Sequence, residues 1–410
     1  GVYHLFFQYN PFGSDWGNMS WGHATSRDLY EWTEHPVALA QTDGEDVFSG
    51  SVVVDHENTS GFGVDGRPPL VAIYTSAYWT GIQAVSLAYS NDAGMTWERF
   101  DGNPVIDRDS RNFRDPKVFL FTDQDGGSRW ILVAVEAEDR QVLIYSSSDL
   151  REWTLESSVG PFGPDHLIWE CPDLFPLSVE GSPDGSTWVL LLSTNTREGS
   201  DDQRGSAMAY APGDFDGKQF TPAAGAEWRP LDAGRDFYAG VTFSNVPGDR
   251  RILLAWMSNW RYAAQVPTEP YRGAMSLPRE LSLRRREGEL PVLVQTPVTP
   301  PSATRTTIRG RPADLGSALA ELRADGAVLA RLNYDESGEE LSLERFVPAG
   351  TELPGEYGGV STMRVPLVDG ELEVDVYIDG YLVEIFADGG AAVMSHQVLG
   401  GSGPPEVHTG

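Results

Sequence analysis

The chain has 410 residues and carries 60 acidic against 30 basic side chains, a formal net charge of −30. A surface this acidic repels a nucleic-acid backbone or an anionic membrane, so neither is expected as a partner. A single cysteine excludes an intramolecular disulfide framework, and no apolar run approaches the roughly 20 residues that span a bilayer.

The length admits two domains or one large all-β unit. Lys117 and Lys218 are the only lysines, a bias read as compositional rather than chemical. In chain order, "YHLFFQY", "SGSVVVD", "PLVAIYTS", "SLAYS", "KVFLF", "RWILVAVE", "VLIYSS", "STWVLLLST" and "ILLAWMS" stand between clusters of Gly, Asp, Asn and Pro. Short runs rich in β-branched and aromatic residues, punctuated by turn formers, predict strands; almost no segment has the 3.6-residue period of a helix. A Ser-x-Asp…Trp turn recurs as "SRDLYEW" ending at Trp32, "SNDAGMTW" ending at Trp97 and "SSDLREW" ending at Trp153. Recurrence at intervals of about 55 to 65 residues suggests four-stranded propeller blades, although hairpins of a large sandwich produce similar turns.

Composition changes at "TPVTPPSATRT", residues 296–306, which reads as a linker between a first region, 1–295, and a second, 307–410. In the second region "ELEVDVYIDG" and "YLVEIFADGG" predict a hairpin around an Asp379-Gly380 turn, and the whole reads as a small β-sandwich without a reactive cluster.

Three stretches of the first region carry chemistry. "FQYNPFGSDWGNMSWGHATSRDLYEW" is dense in Trp, Asn, Gln and His; "NFRDPKVF" places Arg114 and Asp115 at the head of a strand; "LIWECPDLF" sets Glu170 inside an apolar run. Aromatic rings beside neutral hydrogen-bonding groups suit a sugar, whose ring face stacks while its hydroxyls need fixed partners. Trp16 and Trp21 read as core residues or as stacking platforms. Asp115, before a proline, reads as a turn former or a catalytic carboxylate, and Asp173 as a turn former. Glu170 has no turn role and poor strand propensity, so its reading is functional. Between Trp169 and Cys171 its desolvated setting is expected to disfavour the charged form, as a general acid requires. Cys171 reads as a small packing residue. The histidines show no H-E-x-x-H or paired spacing, so no metal is expected, and no nucleotide-binding motif implies a cofactor.

Together these motifs resemble glycoside hydrolase family 32, the β-fructofuranosidases, and in particular its bacterial levanase, inulinase and invertase branch. "FFQYNP", "WGNMSWGHATSRDLYEW", "FSGSVVVD", "NFRDPKVF", "WECPDLF", "GRDFYAGVTF" and "WMSNWRYA" occur in the family's order over nearly the whole chain. The resemblance implies a five-bladed β-propeller over 1–295 followed by a C-terminal β-sandwich, with a funnel that holds one terminal fructosyl unit. It implies Glu170 as general acid/base and Asp115 as the carboxylate that supports the transition state. Gln8, Trp16, Ser49, Arg114, Cys171 and Trp260 match sugar-contacting positions, with Trp21 and Asp236 as weaker candidates. A monomer that hydrolyses fructan or sucrose outside the cell with retention, without metal or cofactor, is the expectation.

The family's nucleophile lies in a W-M-N-D-P-N-G segment shortly before the strand that corresponds to "YHLFFQY", and this sequence begins beyond that point. Residues 1–410 are therefore expected to lack the nucleophile and one strand of the first blade, and to turn over poorly where the parent protein is active. Two alternatives stay open: a fructan-binding propeller without catalysis, and an inverting glycosidase acting on arabinan, with its carboxyl groups about 6.5 to 9.5 Å apart. A sialidase would need an arginine cluster and a tyrosine nucleophile, for which there is no motif.

Overall fold

The structure is a computed structural model that describes residues 1–200, 202, 204–225, 228–285, 290–298, 304–316 and 318–409. It is an all-β protein in which antiparallel units follow one another along the chain. Tyr3–Tyr9, Ser20–Ser26 and Trp32–Leu39 form a three-stranded sheet. Glu45–Val54, Leu70–Tyr78 and Gln83–Ser90 form the next, edged by two short strands. Phe113–Thr122, Ser128–Glu136, Gln141–Ser147 and Thr154–Val159 form the third. A larger sheet opens with Leu167–Val179, Ser182–Thr196 and Ala207–Phe215. One parallel pairing, Val179 with Leu283, joins it to Tyr238–Thr242, Ile252–Trp256, Arg279–Arg284 and Val292–Pro297.

Period-two alternation explains why the apolar runs are continuous rather than one-sided. In Ser128–Glu136, Trp130, Leu132 and Ala134 enter a core shared with the preceding sheet, while Ile131, Val133 and Val135 enter one shared with the following sheet. Both faces are buried, so both sets of positions are apolar. The same stacking joins the first sheet to the second through Trp21, Val47 and Tyr74, and the two parts of the large sheet through Phe175, Leu191 and Leu253. The last part returns to the first: the rings of Tyr3 and Phe243 meet edge to face at 5.6 Å, and an Arg272 guanidinium nitrogen lies 2.6 Å from Asp15 Oδ1.

The three recurring turns share one hydrogen-bond plan. Asp28 Oδ1 accepts the N–H groups of Tyr30 and Glu31, and Asp149 Oδ1 those of Arg151 and Glu152, all at 2.9 Å. Asp92 Oδ1 does the same for Met95 and Thr96 at 3.1 and 2.9 Å. The indole of the closing tryptophan donates back to the residue three before it: Trp32 to Leu29, Trp97 to Gly94, Trp153 to Leu150. The carboxylate replaces backbone partners the turn would otherwise lack. Asp216 makes a fourth such turn, accepting from Lys218 and Gln219, without the serine and tryptophan that mark the others in the sequence.

In the second region, Thr304–Gly310, Leu372–Asp379, Leu382–Ala387 and Ala392–Gln397 form one sheet. Gly359–Arg364, Glu340–Arg345, Ala327–Asp335, Ala318–Ala324 and Glu406–Thr409 form another, and an apolar core fills the space between the two. Asp379 pairs with Leu382, so the hairpin turns on Gly380 and Tyr381 rather than on Asp379-Gly380. Gly380, first in the loop, takes φ +57° at no steric cost. Of the linker positions, 296 and 297 end one strand and 304–306 begin another, while 299–303 lie outside the described residues.

The two regions meet through reciprocal buried ion pairs. Arg279 of the first reaches Glu384 of the second and Asp232 of its own region; Arg345 of the second reaches Asp236 of the first at 2.5 Å. Asp236 also accepts the Tyr262 hydroxyl at 2.6 Å and the Gln397 N–H at 2.9 Å. Both oxygens of this buried carboxylate are engaged within the protein. Asp236, a weaker sugar-contact candidate in the sequence, is placed here as a joint between the regions.

Candidate active site

The first strands of successive units, Glu45–Val54, Phe113–Thr122, Leu167–Val179 and Tyr238–Thr242, pack side by side in that order. Each breaks its pairing register near its start, at Phe48/Gly50, between Arg114 and Lys117, at Glu170/Asp173 and at Tyr238/Val241. Such bulges turn a strand and re-aim its side chains, and they gather at sheet rims and active sites. Asp115 (φ +63°), Cys171 (+46°) and Ala239 (+51°) hold left-handed backbone at three of them. Both candidate carboxylates thus sit on a strained bend rather than in a regular ladder.

Arg114 stands between them. Its Nε lies 3.1 Å from Glu170 Oε1 and 4.0 Å from Asp115 Oδ2, and an Nη donates to Gln83 Oε1 at 3.3 Å. Asp115 Oδ2 accepts the Cys171 N–H at 2.9 Å, and the Asp115 N–H donates to Thr75 Oγ1, also at 2.9 Å. Burial raises the Asp115 carboxyl to about 6; Arg114 opposes the rise and Glu170 adds to it. Burial likewise pushes the Cys171 thiol well up, and its Sγ donates to Asp115 Oδ2 at 3.6 Å.

The apolar setting expected for Glu170 is not what surrounds its carboxyl. Trp169 points to the other face of the strand and packs against Phe162 and Trp228. The carboxyl instead meets Arg114 through Oε1 and the Tyr238 hydroxyl through Oε2. Asp173 is likewise no turn former. It is buried in mid-strand, where its Oδ2 accepts the Thr242 N–H and hydroxyl, both at 2.8 Å, and lies 3.4 Å from Lys117 Nζ. That ion pair links the two strands that carry Asp115 and Glu170.

The remaining candidates join this centre by contact. Gln8 Nε2 donates to the Val47 carbonyl at 3.1 Å, and Trp16, 65% exposed, rests edge-on against Phe48 at 6.0 Å. The Ser49 carbonyl accepts the Thr75 hydroxyl, whose oxygen also holds the Asp115 N–H. On the other side Tyr238 meets Trp256, and Trp256 meets Trp260, which is 44% exposed. Trp21 differs: it is buried against Phe6 and Tyr74 with its indole donating to the Phe48 carbonyl, the core placement that was one of its two readings. Sequence reasoning missed Tyr238, Gln83 and Thr75. Tyr238 lies within "GRDFYAGVTF" without having been singled out, and its place, like those of Gln83 and Thr75, is recognisable only once the bulges face one another. Among the described residues no group of three or more His, Cys, Asp or Glu is arranged to hold a metal.

Two exposed indoles thus flank a cationic bridge between two carboxyl groups, an arrangement that can stack a sugar ring, grip its hydroxyls and move a proton. The N-terminal domain model of glycosyl hydrolases family 32 matches residues 1–297, and the C-terminal model of the same family matches residues 307–408. A levanase of Bacillus subtilis (strain 168) is 39% identical over 97% of this chain, which spans 63% of that protein. An extracellular exo-inulinase of Aspergillus niger is 35% identical over 97% of this chain and 85% of its own length. Among solved structures, an exo-inulinase from Aspergillus awamori superposes with a TM-score of 0.88 at 31% identity, covering 100% of this chain and 93% of the other. A β-fructofuranosidase from Schwanniomyces occidentalis complexed with fructosyl-erythritol gives 0.87 at 32% identity, over 99% of this chain and 88% of the other.

Proposed function

The chain belongs to glycoside hydrolase family 32, and from that premise we propose that it is the catalytic body of a retaining β-fructofuranosidase that removes terminal fructosyl units from levan, inulin or sucrose. The relatives are levanase, exo-inulinases and invertase, and the exo-inulinases are named extracellular, which supports a secreted enzyme. The stacked units, with the last returning to the first, support a five-bladed propeller over 1–295; the two facing sheets beyond the 296–306 linker support a sandwich over 307–410.

Glu170 is the general acid/base and Asp115 the transition-state carboxylate. A carboxylate attacks the anomeric carbon while Glu170 hands its proton to the linkage oxygen; the C–O bond breaks and the leaving sugar departs as a neutral alcohol. Asp115, ionised above about pH 6, offsets the positive charge that builds on the fructosyl ring. Water then attacks the fructosyl ester, returns a proton to Glu170 and frees fructose with the first carboxylate restored. Trp16 and Trp260 supply the apolar walls, and Gln8, Ser49 and Arg114 the polar ones.

The observation that carries this reading is the Asp115–Arg114–Glu170 bridge on two adjoining bulged strands. The test is hydrolysis of levan, inulin and sucrose by the full-length protein, with the anomeric configuration of released fructose followed by NMR. Inverted product, or release of arabinose rather than fructose, sinks the proposal.

A further inference from the structure

Among the described residues the exposed aromatic side chains are Phe12, Trp16, Trp79, Trp260 and Tyr271, and all five fall on three loops, 10–19, 79–82 and 257–278. These loops open at one end of the sheets, beside the bulges that carry the two carboxyl groups. The Met19 carbonyl accepts the Val47 N–H at 2.8 Å, the Trp79 N–H donates to the Gly44 carbonyl at 2.9 Å just ahead of Glu45–Val54, and Trp256 pairs with Tyr238. A single exposed ring needs no explanation, but rings confined to one face mark a binding surface. Trp16 and Trp260 already wall the fructosyl site, whereas Trp79 has no part in it.

Trp79 is held firmly by its backbone while its indole is 66% exposed. It follows the strand Leu70–Tyr78 at the tip of a hairpin closed by two bonds, from the Tyr78 N–H to the Ile82 carbonyl at 2.9 Å and from the Gly81 N–H to the Tyr78 carbonyl at 2.7 Å. An Arg111 Nη donates to the Thr80 carbonyl at 3.3 Å, and that guanidinium lies so close that a β carbon on Gly81 would meet it at 2.5 Å. A platform fixed in this way gives up little freedom when a ligand stacks on it.

The same hairpin leads to the acid. Gln83, paired with Ala77, accepts a hydrogen bond from Arg114, which in turn meets Glu170. Trp79 lies two residues past Ala77, about 6–7 Å further out at the rise of a strand. Glu170 protonates the linkage oxygen, so the leaving sugar departs on the Glu170 side, and a chain continuing from it runs outward past Gln83.

We propose that Trp79 stacks against a sugar unit on the leaving side that a fructan chain has and sucrose lacks, and so sets a preference for fructan over sucrose. An apolar ring on a protein of net charge −30 suits a neutral chain and not a polyanion. The proposal rests on the fructofuranosidase reading of the site.

The experiment compares hydrolysis by full-length wild type, Trp79→Ala and Trp79→Phe on sucrose and on the better cleaved of a levan-derived and an inulin-derived pentasaccharide. Trp79→Ala is expected to lower kcat/KM on the pentasaccharide about 3- to 15-fold, chiefly through KM, and to change it less than about twofold on sucrose. Trp79→Phe keeps a ring and should recover most of the loss. An unaltered pentasaccharide rate for Trp79→Ala, a loss as large on sucrose, or a Phe variant as poor as the Ala one overturns the platform while the reading of the site stands. Wild type that releases fructose from neither donor overturns that reading, and the proposal with it.

Discussion

The backbone N–H of Cys171 donates to Asp115 Oδ2 at 2.9 Å, so the residue beside Glu170 in the chain is tied to the carboxyl of the neighbouring strand. This bond sets the spacing of the two acids through backbone rather than through flexible side chains, which is what preorganised electrostatics requires. It also keeps Asp115 buried, and burial is the first cause of its raised ionisation. The acid limb of kcat/KM is therefore expected near pH 6, because Asp115 must be charged to support the transition state. Arg114→Gln removes the cation that opposes the rise and should move that limb to higher pH. A profile flat from pH 4.5 to 7, or an unmoved limb in Arg114→Gln, contradicts the role given to Asp115.

The same carboxyl should cost stability. Asp115 is raised to about 6 in the folded protein, above the 3.8 of an ordinary aspartate, so the folded state binds its proton more readily than the unfolded state. Its contribution is fully present below about pH 3.8 and is lost as pH rises through about 6, roughly 2–3 kcal/mol for a shift of this size. Asp115→Asn is expected to gain about 1–2 kcal/mol at pH 7.5 and little at pH 4, while kcat falls about 10²- to 10³-fold. Urea unfolding at the two pH values checks the first half. A loss of stability at pH 7.5 would show that Arg114 outweighs desolvation.

Much of this architecture was legible beforehand, and the reasons are local. The Ser-x-Asp…Trp turns announce themselves because Asp28, Asp92 and Asp149 bond within their own turns, a chemistry that leaves a fixed spacing. The fourth turn, at Asp216, lacks the serine and tryptophan and left no such trace. Glu170 stood out because a carboxyl in an apolar strand violates the pattern. Its surroundings did not, since Arg114 and Tyr238 come from other strands 56 and 68 residues away. Asp236 is ambiguous in the sequence for a related reason. A buried acid in a "GRDF" segment has the same sequence appearance whether it meets a sugar or an arginine 109 residues later.

Three histidines without motif spacing meet across the first sheet. His4 Nδ1 lies 3.1 Å from His23 Nε2, the His35 ring is 4.8 Å from that of His23, and Phe6 stacks on His23 at 4.4 Å. Burial, then His4 and His35, lower His23 from 6.5 to about 4. In the unfolded chain this imidazole takes its proton near pH 6.5, and in the folded protein only near pH 4, so stability falls with pH across that window. The total is up to about 3 kcal/mol. Urea midpoints measured from pH 7 to 4.5 should decline more steeply for wild type than for His23→Gln; parallel declines would remove this column from the account of acid lability.

Asp236 offers a direct separation of architecture from catalysis. Its partner Arg345 is 2% exposed, lies 3.9 Å from the centre of the Tyr357 ring and donates to the Gln397 carbonyl at 2.9 Å, so no solvent stands ready to replace a lost carboxylate. Asp236→Ala leaves a guanidinium buried without its counter-charge, which typically costs about 3–5 kcal/mol. Asp236→Asn keeps the shape and some of the hydrogen bonds and should cost less. Because the side chain is enclosed by Arg345, Tyr262 and Gln397, the Asn variant, measured well below its unfolding temperature, is expected to bind sucrose with an unchanged KM. A tenfold rise in KM with unaltered stability would return Asp236 to the sugar site and break the assignment of the joint between the two regions.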